Sequence, residues 1–212
     1  MVGGDLAKIL SPGDTVGVFP SVLSLLSLTI EVIQDDMRKD RDREEVTRVL
    51  SNLLADEYLL STKTKNYHWN VTGPHFNTLH QLFEDQYKTL DKLIDQIGER
   101  VRVLNGHAPG TMTEFLRCTR LQERPGVHPD EWTMVEDLYD DHEVLLRSLG
   151  GTLASNEKLR CDFGTTDFLA SAIQHHETMA WMLRAVLEKS AHLKEWVKQH
   201  EEMVATISSE TT

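Results

Sequence analysis

Apolar residues return at helical spacing in four long stretches of the chain, and no stretch alternates as a half-buried strand would. From about Arg43 to Tyr67 the residues Val46, Val49, Leu50, Leu53, Leu54 and Leu60 recur every three or four positions, until Asn70 to Pro74 breaks the pattern. A second stretch, from about Phe76 to Leu104, lines up Leu79, Leu82, Phe83, Leu90, Ile94, Ile97, Val101 and Leu104, and Asn105-Gly106 ends it. Pro109-Gly110 opens a connector with room for a short helix from Thr113 to Leu121. Longer helices are predicted over about Pro129 to Ala154 and Thr165 to Leu193, the last opened by Thr165-Thr166-Asp167 as its cap. Ahead of these, residues 1–20 hold four glycines and two prolines and read as a loose arm. A short apolar helix follows from Ser21 to Gln34, and the charged run Asp35 to Glu45 reads as a solvated junction. The prediction is an all-α four-helix bundle with a short helix in the connection between helices 2 and 3. It divides the chain into an extension (1–34), a bundle (35–193) and an acidic tail (194–212).

Composition narrows what such a bundle does. At 212 residues the chain has the length for one sizeable domain with extensions. Its 34 acidic against 22 basic residues, for a net charge of -12, argue against a general polyanion binder and make metal cations the more natural partners. The two cysteines, Cys118 and Cys161, stand far apart without a CxxC or Cys/His pattern, which supports neither a disulfide framework nor a zinc finger and fits a reducing cytoplasm. The apolar stretch Phe19 to Ile33 is interrupted by Pro20, serines and Glu31, so neither a membrane span nor a signal peptide is expected.

Candidate chemistry lies on the polar face of the second helix. With His80 set at zero and about 100° per residue, Glu84 falls near 40°, Asp95 near 60° and Glu99 near 100°, while the apolar stripe occupies roughly 200° to 320°. These four residues therefore look away from the bundle core, which disfavours a site inside the bundle. His80/Glu84 and Asp95/Glu99 are each i,i+4 pairs able to offer two ligands to one ion. A rise of about 1.5 Å per residue puts roughly 16 Å between Glu84 and Asp95, so one metal cannot touch both pairs of one chain. Two copies of the helix crossing antiparallel about a two-fold axis would bring the pairs face to face, with mixed imidazole and carboxylate donors that suit iron, zinc or manganese. Spacing alone does not exclude an ordinary solvated face.

The segment Lys63-Thr-Lys-Asn-Tyr-His-Trp-Asn-Val-Thr-Gly-Pro-His-Phe, with Leu79-His80, Leu82-Phe83-Glu84, Asp95-Gln-Ile-Gly-Glu99-Arg and His176-Glu-Thr-Met-Ala-Trp181-Met-Leu-Arg184, closely resembles the Dps family of mini-ferritins over roughly Glu44 to Leu187. The resemblance implies a ferritin-like bundle, a dodecameric hollow shell, and ferroxidase centres shared between two-fold-related chains. It implies that His68, His80 and Glu84 form one side of each centre, and Asp95 and Glu99 the other. Position 84 is more often Asp in that family; Glu84 keeps the charge and adds one methylene. The implied chemistry is oxidation of paired ferrous ions by hydrogen peroxide, followed by ferric mineral growth, with iron handled and no organic cofactor. By the same resemblance Trp69 sits beside the centre and intercepts oxidising equivalents, an ordinary interface aromatic being the alternative. Asp167 matches an acidic position lining an iron-entry pore, with a simple helix-start carboxylate as the alternative. His175 and His176 diverge by about 100° and do not pair; His176 shares a face with Ala172, Ile173 and Met179 and reads as packed.

Three rivals remain. A bacterioferritin-like store would carry Glu-x-x-His motifs inside the bundle, and the chain has none. A DNA-compacting protein would need cationic tails, yet the first 20 residues hold one lysine against two aspartates, and Gln199 to Thr212 holds three glutamates and no lysine or arginine. DNA binding is therefore expected to be weak or absent. A purely structural shell would assemble without turnover.

Overall fold

The computed structural model describes residues 22–159 and 162–210, with side chains described for 31–35, 37–159 and 162–188. The described residues form five helices and no strand: α1 (Val22–Asn70), α2 (Phe76–Val103), α3 (Met112–Cys118), α4 (Glu131–Ser155) and α5 (Phe163–Glu210). The chain groups into two units, residues 1–41 and 42–212. The second contains the bundle; of the first, only the helical segment from Val22 is described.

Two boundaries differ from the periodic reading. The charged run after Gln34 does not interrupt the helix, because Asp35 pairs with Arg38 at 2.6 Å and with Lys39 at 2.7 Å, the i,i+3 and i,i+4 spacings that neighbours on a helix surface adopt. Likewise α5 continues past Leu193 to Glu210, so most of the expected tail is helical. Its start is held by Asp162, whose carboxylate accepts from the Thr165 amide at 3.0 Å and the Thr165 hydroxyl at 2.6 Å. The cap thus precedes the Thr-Thr-Asp triplet, and Asp167 lies exposed within the helix.

The core follows the periodic residues. Leu50, Leu53 and Leu60 of α1, Phe83, Leu90 and Ile97 of α2, Leu138 and Leu145 of α4, and Leu169 and Leu183 of α5 are all fully buried. Each such side chain contributes about 1.5–3 kcal/mol by leaving water, which is why the four amphipathic helices associate. The turn after α2 approaches α1 closely: an ideal Cβ on Gly106 would lie 2.4 Å from Cγ2 of Thr47, so only glycine fits there beside threonine.

Polar ties fix how the helices sit against one another. Asp56, fully buried on α1, accepts from the Thr119 hydroxyl at 2.9 Å and from the amide and Nε of Arg120 at 2.6 and 2.7 Å, anchoring the end of α3. Lys63 pairs with Asp141 at 2.6 Å, and the Tyr67 hydroxyl donates to Asp137 at 2.8 Å. Burial first, then the Asp137 carboxylate, pushes the Tyr67 hydroxyl well above its usual range. Burial also pushes the Asp141 carboxyl up in spite of Lys63.

Deeper still, Glu57, His142 and His176 are fully buried and form a chain across three helices. His176 Nε2 stands 2.6 Å from Glu57 Oε1, and the Nδ1 atoms of His142 and His176 are 2.9 Å apart. A carboxylate only accepts, so His176 Nε2 carries a proton and points it at Glu57. His142 Nε2, at the other end of the chain, is buried without a partner, as is Glu57 Oε2. Protonating His142 would bury a charge, and burial, followed by the neighbouring His176, holds its pKa well below the ordinary value.

Candidate metal centre

The residues His68 and His80 face each other across the turn that joins α1 to α2. α1 ends at Asn70, two residues after His68, and α2 begins at Phe76, so His80 occupies its second turn. The two imidazoles stack with ring centroids 3.8 Å apart and an interplanar angle of 19°. Each ring also bonds the other residue's backbone: His68 Nδ1 to the His80 carbonyl and His80 Nδ1 to the His68 carbonyl, both at 2.8 Å. A backbone carbonyl only accepts, so Nδ1 must hold the proton in both rings. In the neutral rings both Nε2 atoms therefore keep a lone pair for a cation, and the tautomer is fixed before any ion arrives.

Neighbouring rings hold this clasp in place. Tyr87 meets His68 edge-on at 5.4 Å and 70°, and Phe76 stacks on His80 at 5.1 Å. His68 is buried to 8 % exposure, whereas His80 and Glu84 are partly exposed. Glu84, one helical turn beyond His80, is paired with Lys88. The Lys88 ammonium is the largest of the influences that hold the Glu84 carboxyl below its usual range, with His68 and His80 adding to it. Glu84 is thus an ionised donor close to two imidazoles, with Lys88 engaging its Oε1 oxygen.

Asp95 and Glu99 lie exposed further along α2, three to four turns from this cluster. Of the five residues, His68, His80 and Glu84 lie near one another within one chain, and Asp95 and Glu99 do not join them. Among the described residues no group of three or more histidine, cysteine, aspartate or glutamate side chains converges on a point where one ion would sit. The buried Glu57, His176 and His142 are strung out as a chain and do not form a shell. Trp69 projects into solvent at 71 % exposure.

The sequence reading assigned no role to His75 or His142 and overlooked Glu57 and Glu131. His75 Nδ1 lies 2.9 Å from Oε1 of Glu131, a residue 56 positions away on α4, and Glu57 and His176 are 119 positions apart. No periodicity announces such pairs. Gln86 is the one polar residue on the buried stripe of α2, its Nε2 donating to the Met179 carbonyl at 3.2 Å.

Comparison with known proteins gives a consistent picture. A family model described as a ferritin-like domain matches residues 48–207. An uncharacterized low temperature-induced protein of Nostoc sp. is 45% identical over 149 residues, 70% of this chain and 83% of its own length. DNA protection during starvation protein 2 of Bacillus anthracis is 38% identical over 148 residues, 69% of this chain and 99% of its own. Among solved structures, the Dps protein of Vibrio cholerae O1, described as a member of a broad superfamily of ferritin-like diiron-carboxylate proteins, superposes with a TM-score of 0.65 at 28% identity. That match covers 70% of this chain and 92% of the other.

Proposed function

Because the chain belongs to the Dps family of ferritin-like proteins, we propose that it stores iron by oxidising ferrous ions at centres that two chains build together. The observation that carries this reading is the clasped pair His68 and His80. It presents two Nε2 lone pairs and the Glu84 carboxylate at one end of α2, with Asp95 and Glu99 roughly 16 Å further along the same helix. A second copy of α2, antiparallel about a two-fold axis, supplies the missing carboxylates. Iron is the substrate, and the residues hold and orient it. Two ferrous ions give one electron each to hydrogen peroxide, whose O–O bond breaks; with two waters the products are two units of FeO(OH) and four protons. The carboxylates offset the growing cationic charge, and exposed Trp69 beside His68 intercepts stray oxidising equivalents. Asp167 lines the path by which cations enter the shell. The assembly is a closed shell of twelve chains in the cytoplasm.

Peroxide should oxidise bound ferrous iron faster than oxygen does, and His80→Ala or Asp95→Ala should suppress that phase, because each removes a donor from an already sparse shell. Stopped-flow absorbance of ferric product reads the rate, and light scattering reads the particle. Unchanged initial rates in both variants, or monomers and dimers alone under iron loading, would sink the reading.

Protection of DNA is then indirect, by removal of ferrous iron and peroxide. With so few cations at either end and a net charge of -12, the protein should show little DNA retention near 0.15 M salt. Sub-micromolar affinity in a gel shift at that salt would contradict this.

A further inference from the structure

We infer that Glu131, the first residue of α4, is a positioning residue for the iron centre: it latches the turn between α1 and α2 and so sets the geometry of His68 and His80. This inference rests on the ferroxidase reading of those two histidines and extends it to a helix that offers no ligand.

Backbone bonds close the turn, Val71 N–H donating to the Tyr67 carbonyl at 2.8 Å and Phe76 N–H to the Gly73 carbonyl at 3.1 Å, but no side chain of its own caps α2. His75 stands at the N-cap of α2, yet its side chain makes no capping bond to the first-turn amides. Its ring reaches across to α4 instead, with Nδ1 2.9 Å from Glu131 Oε1, while its backbone amide donates to Glu131 Oε2 at 3.3 Å. Both carboxylate oxygens are thereby spent on one residue of the turn. A carboxylate as enclosed as this one, at 8 % exposure, loses hydration and is retained only where its partners replace that hydration. The rest of the support is local: Asp130 caps α4 by accepting from the Trp132 amide at 2.9 Å and the Thr133 amide at 3.2 Å, and the start of a helix favours an anion. The Trp132 ring closes over the His75 ring at 4.9 Å.

Gly73 shows how tightly the turn is drawn onto that carboxylate. Its φ of 117° is one that L side chains rarely adopt, and an ideal Cβ there would stand 2.7 Å from Glu131 Oε2. The latch therefore bonds the turn at residue 75 and packs closely against it at residue 73. Phe76, the next residue, stacks on His80, and the His68 and His80 rings each hold the other's backbone across the same turn. A slack turn would let α2 start differently and would open the clasp on which both Nε2 directions depend.

The test uses the assembled protein and cobalt(II) alone as the probe, read by its visible absorption, with amide hydrogen exchange on the same samples. Glu131→Ala should weaken cobalt binding about tenfold or more, as losses behind a ligand shell do. It should raise the KM for ferrous iron far more than it lowers kcat, and it should speed exchange at residues 71–79 and not in the distant half of α2. Glu131→Gln, which keeps an oxygen to accept one of the two His75 donors, should recover part of the affinity; if the alanine variant fails to assemble, this variant carries the test. Gly73→Ala should reproduce the weakening from the other side of the contact. If Glu131 variants bind cobalt within twofold of the wild type while His80→Ala abolishes binding, the latch is wrong and the iron site stands. Cobalt binding indifferent to His80→Ala would overturn both. Exchange accelerated throughout the chain would reduce Glu131 to a general stabiliser and end the proposal.

Discussion

Particles assembled from equal amounts of His80→Ala and Asp95→Ala chains should recover about one quarter of the native ferroxidase centres, although each variant alone is nearly inactive. The expectation follows from the roughly 16 Å that separates Glu84 from Asp95 along α2, which forces each centre to draw on two chains. In a mixed dimer one centre collects both lesions and the other collects none. Random pairing makes half the dimers mixed, and half their centres native. The single variants should be severe because His80 does two jobs: its Nε2 offers a ligand, and its Nδ1 at 2.8 Å from the His68 carbonyl holds the neighbouring donor in place. Losing it removes a donor and slackens a second. Mixed particles that are correctly assembled yet as inactive as the pure variants would mean that each chain carries its own centre.

Acid should destabilise the folded chain from about pH 6.5 downward, and His142 should account for a large share of the loss. The folded state keeps this ring neutral, since its Nε2 is buried without a partner, whereas the unfolded chain protonates it near the ordinary value of 6.5. A folded pKa held below the unfolded one means that the unfolded state binds more protons as pH falls. The contribution is therefore present in full above about pH 6.5 and drains away between there and the depressed folded value. The limiting slope is about 1.4 kcal/mol per pH unit, or roughly 2 kcal/mol between pH 6.5 and 5. His142→Leu, of similar volume and without a titrating group, should flatten the curve by about that amount in urea unfolding at the two pH values. Equal slopes in both proteins would show that the buried chain of Glu57, His176 and His142 carries no such linkage.

The fold was largely legible because burial has a period. Leu79, Phe83, Leu90, Ile97 and Val101 of α2 are buried, all on the stripe that helical spacing marks out. The polar stripe on the opposite side of that helix was legible for the same reason. What escaped depends on partners far away in sequence. A histidine such as His142 or His75 looks idle until the fold brings Glu57, His176 or Glu131 beside it, and Gln86 breaks the apolar stripe without losing its place in the core. The charged run after Gln34 misled in the other direction: its acidic and basic residues looked like a solvated break, while their i,i+3 and i,i+4 spacing sustains a helix. The proposed shared centre is beyond one chain, because two of its five donors, Asp95 and Glu99, would come from a second copy.

The close approach of the turn after α2 to α1 bears on how relatives of this chain can diverge. Residues 47 and 106 share one small volume: with threonine at 47, a Cβ at 106 would stand 2.4 Å from a methyl group whose short β-branched side chain has little room to turn away. The two positions should therefore drift as a pair. Across aligned relatives, a side chain at the position of Gly106 should be accompanied by alanine, serine or glycine at that of Thr47, and threonine or valine at 47 by glycine at 106. Independent variation at the two columns would show that the helices in those relatives have moved apart.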